Sequence, residues 1–378
     1  MKPLRIAVNA LYLLPGGVGG TEIYLRQLLG ALAKIDEHNE YLIFTNRETG
    51  GDLAPESPRF RQLPQPVQAE IRPLRILYEQ SSLPSIIERE QVDVVFNPGF
   101  TSPKSLSVPA VTVFHDLQHV HHPEYFRKRE LPFWNLLLAQ SVRLSAKIIA
   151  VSETTRRDVL EHYDLAEDKV VAIPHGVEEA FFRLDRRPDM DRPFLLCVAT
   201  IDPNKNLEKL IRVYAGLRGE FPALRLVLAG MRGAQTAKVE AIIDELGLRP
   251  WVRITGWIPR SEIFSLYEKA TAFVYPSTFE GFGLPVLEAM AAGVPLACSR
   301  IDPLLEVAGD TGIFFDPASE QEMAQAIWRL LTEPEERARQ IERGKLRASG
   351  FTWEESARKT LAVFEQVNQM EPESSKVT

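Results

Sequence analysis

At 378 residues, with 45% hydrophobic and 25% charged side chains, the chain has the length of about two to three domains and a globular balance. That excludes disordered, collagen-like and small disulfide-scaffold architectures. The net charge of −7 comes from 51 acidic and 44 basic groups scattered along the chain, so no basic field advertises nucleic acid. The two cysteines, Cys197 and Cys298, sit in the apolar runs FLLCVA and VPLACS and read as buried reduced thiols, which predicts a cytoplasmic protein.

The opening MKPLRIAVNALYLL superficially copies a secretory signal. Asn9 breaks the run and a glycine loop follows without a clean cleavage site, so a first buried strand is expected instead. Short β-rich runs then alternate with amphipathic stretches: YLIFT, VDVVF, AVTVF, KIIAV and VVAI, then FLLCVA, LRLVLAG, VRIT, TAFVY and VPLAC. The alternation predicts βαβ units and parallel sheets buried on both faces. Helices are expected over 21–35, where Ile23, Leu28, Ala31, Leu32 and Ile35 share a stripe, and over 284–292. The charged segment 178–193, EEAFFRLDRRPDMDRP, carries two prolines and reads as a linker between two doubly wound α/β domains, 1–180 and 181–350. The polar tail 371–378 is expected to fray. No run reaches the length needed to span a bilayer.

In doubly wound sheets ligands bind outside the carboxyl ends of the strands, which directs attention to four loops. Gly16-Gly17-Val18-Gly19-Gly20-Thr21 follows the first strand and suits close backbone approach to a phosphate or sugar; Glu22 stands where a dinucleotide fingerprint needs a small residue. His115-Asp116-Leu117-Gln118-His119-Val120-His121-His122 follows AVTVF. Its histidines lack an accompanying cysteine or carboxylate set, so no metal site is expected; His115 is the candidate for touching substrate and Asp116 for orienting an imidazole. Lys205, in TIDPNKN, lies near a helix start and suits a phosphate. In STFEGFGLPVLEAMA, Glu280 precedes a helix start, Gly281 and Gly283 bare their amides, and Glu288 sits about one turn in. Amide donors beside carboxylate acceptors are what a nucleotide sugar requires.

These residues resemble glycosyltransferase family 4, retaining enzymes of the two-domain GT-B fold. The resemblance lies in the Glu-x7-Glu signature, Glu280 to Glu288, in FEGFGLPVLEAMAAGVPLACS, HDLQHVHHPEYF, VSETTRRDVLEHYDLAEDKVVAIPHGV and VRITGWIPRSEIFSLYEKA, and in the glycine loop. It implies two Rossmann-like domains facing across a cleft, with the helix over 351–370 returning to the first. It implies that Glu280 contacts the donor sugar and Glu288 the ribose, and that Phe282, Gly283 and Leu284 turn their amides to sugar and diphosphate. Lys205 would bind diphosphate, and His115, with Gly19 and Gly20 nearby, would approach the sugar from the first domain. Many members have arginine where Thr200 stands, or, with threonine there, arginine where Asn204 stands; this chain has neither.

The expected reaction is retaining transfer of a hexose, mannose favoured, from a nucleotide-diphosphate sugar to a glycan or lipid-linked acceptor, with no metal and no further cofactor. A sugar-nucleotide epimerase and a non-catalytic sugar-nucleotide-binding protein are the alternatives. Arg127-Lys128-Arg129 followed by Leu131, Phe133, Trp134, Leu136 and Leu137 fits either peripheral contact at the inner face of the membrane or a buried helix with a basic start.

Overall fold

The computed structural model describes residues 2–16, 19–189 and 191–370, so part of the glycine loop (Gly17, Val18), Met190 and the 371–378 tail lie outside the described residues. The chain forms two units, one running to Gly176 and resuming at Trp353, the other Val177–Thr352.

The first unit holds seven strands: β1 Arg5–Ala10, β2 Glu40–Thr45, β3 Phe60–Pro64, β4 Val94–Asn97, β5 Ala110–Phe114, β6 Lys147–Ala150 and β7 Val170–Ala172. They pair in parallel in the order β3-β2-β1-β4-β5-β6-β7, with Arg5 opposite Glu40 and Ala10 opposite Thr45. The second unit repeats the plan with β8 Phe194–Val198, β9 Arg225–Ala229, β10 Val252–Ile254, β11 Ala272–Tyr275, β12 Leu296–Ser299 and β13 Ile313–Phe315, ordered β10-β9-β8-β11-β12-β13. Central strands such as AVTVF and AFVY are buried along their whole length, because helices cover both faces of each sheet. In each unit the strand order reverses beside the first strand, between β1 and β4 and between β8 and β11. Ligand crevices therefore open at their carboxyl ends.

β3 and β13 are absent from the hydrophobic reading because β3, FRQLP, mixes polar residues into its run, buries only Phe60 and ends in Pro64, while β13 has only three residues. The helix Gly20–Ile35 buries Leu25, Leu28, Leu29 and Leu32 and packs against the helix Trp353–Gln369, which returns to the first unit. Phe364 of the latter is fully buried edge-on against Phe96, at 5.1 Å between centroids, which stabilises the docking by about 2 kcal/mol.

The segment 178–193 differs from the expected linker, because it is packed onto the second unit. Phe181 is fully buried, and the Arg186 guanidinium donates to the carbonyls of Glu268 (2.9 Å), Ala270 (2.8 Å) and Tyr267 at the end of the helix Arg260–Lys269. Those carbonyls have no partner within the helix, so a cation there replaces water. Cys197 and Cys298 are both buried free thiols, and burial pushes Cys197 up to about 12.

Candidate functional site

In the second unit, β11 ends at Tyr275 and the loop 276–283 leads into the helix Leu284–Ala291. Gly283 caps that helix at φ 107°, which favours glycine, and a Cβ there would lie 2.4 Å from Leu304 Cδ2 and push that side chain aside. Phe282 is buried, its ring 6.1 Å from that of Phe351. Gly283 O accepts from the amides of Val286 (3.0 Å) and Leu287 (3.3 Å), Pro285 has no N–H, and the amino end of the helix, at Gly283 and Leu284, carries the positive end of its dipole, which suits an anion.

Glu280 lies at this end, and Lys205 reaches it from the loop after β8. Lys205 Nζ is 2.5 Å from Glu280 Oε1, and the Tyr275 hydroxyl donates to the same oxygen at 2.8 Å. Both members of the pair are largely buried, with side chains 16% and 12% exposed. Tyr275 was missed by the sequence reading; its place at the carboxyl end of a strand is the signal that finds it. Burial, and then the Glu280 charge, raise its phenol well above the usual range, so it remains a donor.

Asn204, one of two positions where the resemblance led to an expectation of arginine, is buried and ties two loops together. Its Nδ2 donates to Phe279 O at 3.0 Å, while its own carbonyl accepts from Thr278 N at 2.7 Å and Ser277 Oγ at 2.9 Å. The position thus fixes the Glu280 loop instead of supplying charge.

Glu288 is set into the same helix, apart from the lysine pair. It is only 2% exposed; Arg260 Nη2 donates to Oε1 at 2.5 Å and the Tyr267 hydroxyl to Oε2 at 3.0 Å. Burial raises its pKa and Arg260 opposes the rise. Neither Arg260 nor Tyr267 carries a motif signature that isolates it from sequence.

In the first unit His115 follows β5 and is buried. Its Nε2 lies 2.9 Å from Pro98 O; a carbonyl only accepts, so Nε2 carries the proton. Burial lowers the pKa to about 4, which leaves the ring neutral and Nδ1 an acceptor. Tyr24 and Phe100 stand edge-on to the imidazole, 5.1 and 5.3 Å between centroids. Tyr24 belongs to the helix that begins at Gly20, whose cap Gly19 has φ 57°. The backbone thus brings Gly19 and Gly20 to the carboxyl edge that carries His115. Asp116 Oδ1 accepts from Gln118 N at 2.9 Å, while Pro98 holds the His115 Nε2.

The other histidines do not converge. His119 is buried beside Tyr163, His121 meets Asp158 at 3.1 Å, and His122 meets Glu124 at 2.9 Å. Among the described residues no group of three or more His, Cys, Asp or Glu side chains could hold a metal. The sequence also carries an Asp-x-Asp pattern, Asp189-Met190-Asp191, and there Asp189 Oδ1 accepts from the Arg192 amide at 2.9 Å.

Two Rossmann-like units of this strand order, the second with a Lys-Glu pair at a glycine-capped helix, define a glycosyltransferase of the GT-B class. Family comparison agrees for both halves: the pattern described as Glycosyltransferase Family 4 matches residues 18–181, and that described as Glycosyl transferases group 1 matches 177–347. The chain belongs to glycosyltransferase family 4.

It is 30% identical over 290 residues to the O-antigen chain mannosyltransferase B of Escherichia coli, covering 73% of this chain and 75% of that protein. It is 28% identical to an MMP alpha-(1->4)-mannosyltransferase of Mycolicibacterium hassiacum, covering 92% and 95%. Solved structures of the same fold include sucrose-phosphate synthase from Thermosynechococcus elongatus, with a TM-score of 0.77, 20% identity and coverage of 96% and 99%. Anabaena HepE in complex with UDP and glucose has a TM-score of 0.73, 17% identity and the same coverage.

Proposed function

We propose that this glycosyltransferase moves a hexose, mannose in first place, from a nucleoside-diphosphate sugar to a glycan or lipid-linked acceptor with retention and without a metal ion. The observation that carries the reading is the Lys205–Glu280–Tyr275 cluster at the amino end of the helix Leu284–Ala291. Lys205 and the amides of Phe282, Gly283 and Leu284 serve the diphosphate, Glu280 the sugar, and Glu288 the ribose. His115 Nδ1 accepts a sugar hydroxyl, near Gly19 and Gly20.

As the bond from the anomeric carbon to the leaving phosphate oxygen breaks, the acceptor oxygen bonds to the same face and its proton passes to that phosphate. Lys205 and the helix amides stabilise the negative charge growing on the leaving group, and Glu280 the positive charge on the sugar. Mannose is favoured because mannosyltransferases are among the relatives.

Membrane contact at the inner face is part of the proposal. The helix Leu131–Leu144 buries Leu137, Leu138 and Val142 but leaves Phe133 and Leu136 55% and 69% exposed, directly after the exposed Arg127, Lys128 and Arg129. Among the described residues no helix is long and apolar enough to cross a membrane. The deciding experiment incubates the protein with GDP-mannose, UDP-glucose and other nucleotide sugars plus candidate acceptors, with mass and NMR analysis of product. Transfer with an unchanged anomeric configuration supports the reading. Inversion removes the retaining step, and epimerised donor without transfer removes the acceptor chemistry.

A further inference from the structure

Glu288 is held by a second charged group that no role so far explains. Arg260 Nη2 donates to Glu288 Oε1, while the same guanidinium donates to Glu178 Oε1 through Nη2 and, at 2.8 Å, through Nε. Phe181 and Phe264 stand 5.0 and 5.4 Å from the guanidinium carbon and hold it by cation–π contact. With two carboxylates sharing one guanidinium, the trio carries a net negative charge and does not invite a phosphate.

What it does to Glu288 follows from acceptor counting. A carboxylate offers about four lone-pair sites, and a protonated carboxyl turns one oxygen into a donor. Arg260 takes one site on Oε1 and Tyr267 one on Oε2, so each oxygen keeps a site for a ligand hydroxyl. Without the cation, burial and the neighbouring Glu178 would both favour the protonated carboxyl, which loses that paired acceptor geometry.

We infer that Arg260, itself fixed by Glu178, is a positioning residue that makes the enzyme select ribonucleotides over 2′-deoxyribonucleotides, by keeping Glu288 ionised with one acceptor site on each oxygen for the vicinal ribose diol. The inference rests on the reading of Glu288 as the ribose carboxylate.

The test is calorimetry of GDP, UDP and their 2′-deoxy forms on the wild-type protein, Arg260→Gln and Arg260→Lys. The wild type should prefer the ribonucleotide by about tenfold or more, the worth of a hydrogen bond to a charged acceptor. In Arg260→Gln the ratio should collapse toward one, and ribonucleotide affinity should weaken as pH is lowered, because Glu288 then faces only Glu178 and Tyr267. Arg260→Lys, which keeps the charge and loses the fork, should fall between and covers the case of a Gln variant that does not fold. If either variant binds both forms more weakly while keeping the wild-type ratio, Arg260 is structural and the inference fails alone. A wild type indifferent to the 2′-hydroxyl overturns the ribose assignment of Glu288 and this inference with it.

Discussion

Lys205 and Glu280 meet at 2.5 Å in the largely buried loop end of the second unit, although the proposed chemistry gives them different parts of one donor. In the proposed chemistry the pair loosens when diphosphate binds, Lys205 exchanging a carboxylate for a phosphate and Glu280 turning to the sugar. Glu280→Ala should lower turnover on the order of a hundredfold or more with a much smaller change in donor affinity, because its charge acts where the transition state gains charge. Lys205→Ala should weaken a nucleoside diphosphate more than the monophosphate, measured by calorimetry. Near-normal turnover in the first variant, or equal losses in the second, would withdraw the assignments.

Tyr275 offers a finer probe of the same corner. Its hydroxyl shares Glu280 Oε1 with Lys205 and lies 3.4 Å from Nζ. Tyr275→Phe keeps the buried ring and removes one donor to the carboxylate. A fall of about tenfold in kcat with KM nearly unchanged is expected from steady-state kinetics. A raised KM at constant kcat would place Tyr275 in ground-state binding instead.

A pH dependence of stability follows from the first unit. Burial lowers His115 and His119 to about 4, below the 6.5 of an exposed imidazole, so the unfolded chain binds more protons between those values. Their neutral forms stabilise the fold fully above pH 6.5, and the contribution is lost as pH falls toward 4, on the order of a few kcal/mol for each buried ring. Denaturation midpoints followed across this window should fall with acid, and His115→Gln should flatten the slope by one group's share. An identical slope in the variant would mean that His115 is not buried neutral.

The parts of this molecule legible in sequence are those where one physical signal dominates. Central strands such as β5 and β11 announce themselves by unbroken apolar runs, whereas β3 carries Arg61 and Gln62 within its five residues and β13, although Ile313 and Phe315 are buried, is only three residues long. Lys205 and Glu280 were found because glycine and proline mark the turns around them. Arg260 and Glu178 were not: the first is an ordinary helix residue and the second stood in a segment read as linker, and only folding brings them to Glu288. Asn204 shows the opposite error of emphasis. Its departure from arginine suggested missing charge, and the structure assigns it two backbone tethers.

The exposed apolar side chains of the first unit give a separable prediction. Phe133 and Leu136 project beside the basic Arg127, Lys128 and Arg129, and Arg72 lies 5.6 Å over the Trp134 ring. Anionic phosphatidylglycerol vesicles should bind the protein more strongly than zwitterionic ones, and added salt should weaken that binding. Phe133→Ser with Leu136→Ser should reduce co-sedimentation about tenfold or more. Equal binding by the double variant would leave this helix as an ordinary domain surface.

Metal independence is the sharpest chemical test, because the chain contains the Asp-x-Asp pattern with which many sugar-nucleotide enzymes hold a divalent ion. Asp189 and Asp191 flank Met190, which lies outside the described residues. The backbone amide of Asp189 is bonded to Lys269 O at 3.0 Å and its carboxylate to the Arg192 amide, so the aspartate staples a turn at the end of a helix. The proposed phosphate site lies elsewhere, at Lys205 and the amides of Phe282, Gly283 and Leu284, and in that proposal the lysine and the helix amino end offset the diphosphate charge in place of a metal ion. Asp189→Ala with Asp191→Ala should leave transfer nearly intact, and wild-type activity should persist in EDTA. Loss of transfer in the chelator, restored by magnesium or manganese, would show that the leaving diphosphate departs on a metal ion and would overturn the role given to Lys205.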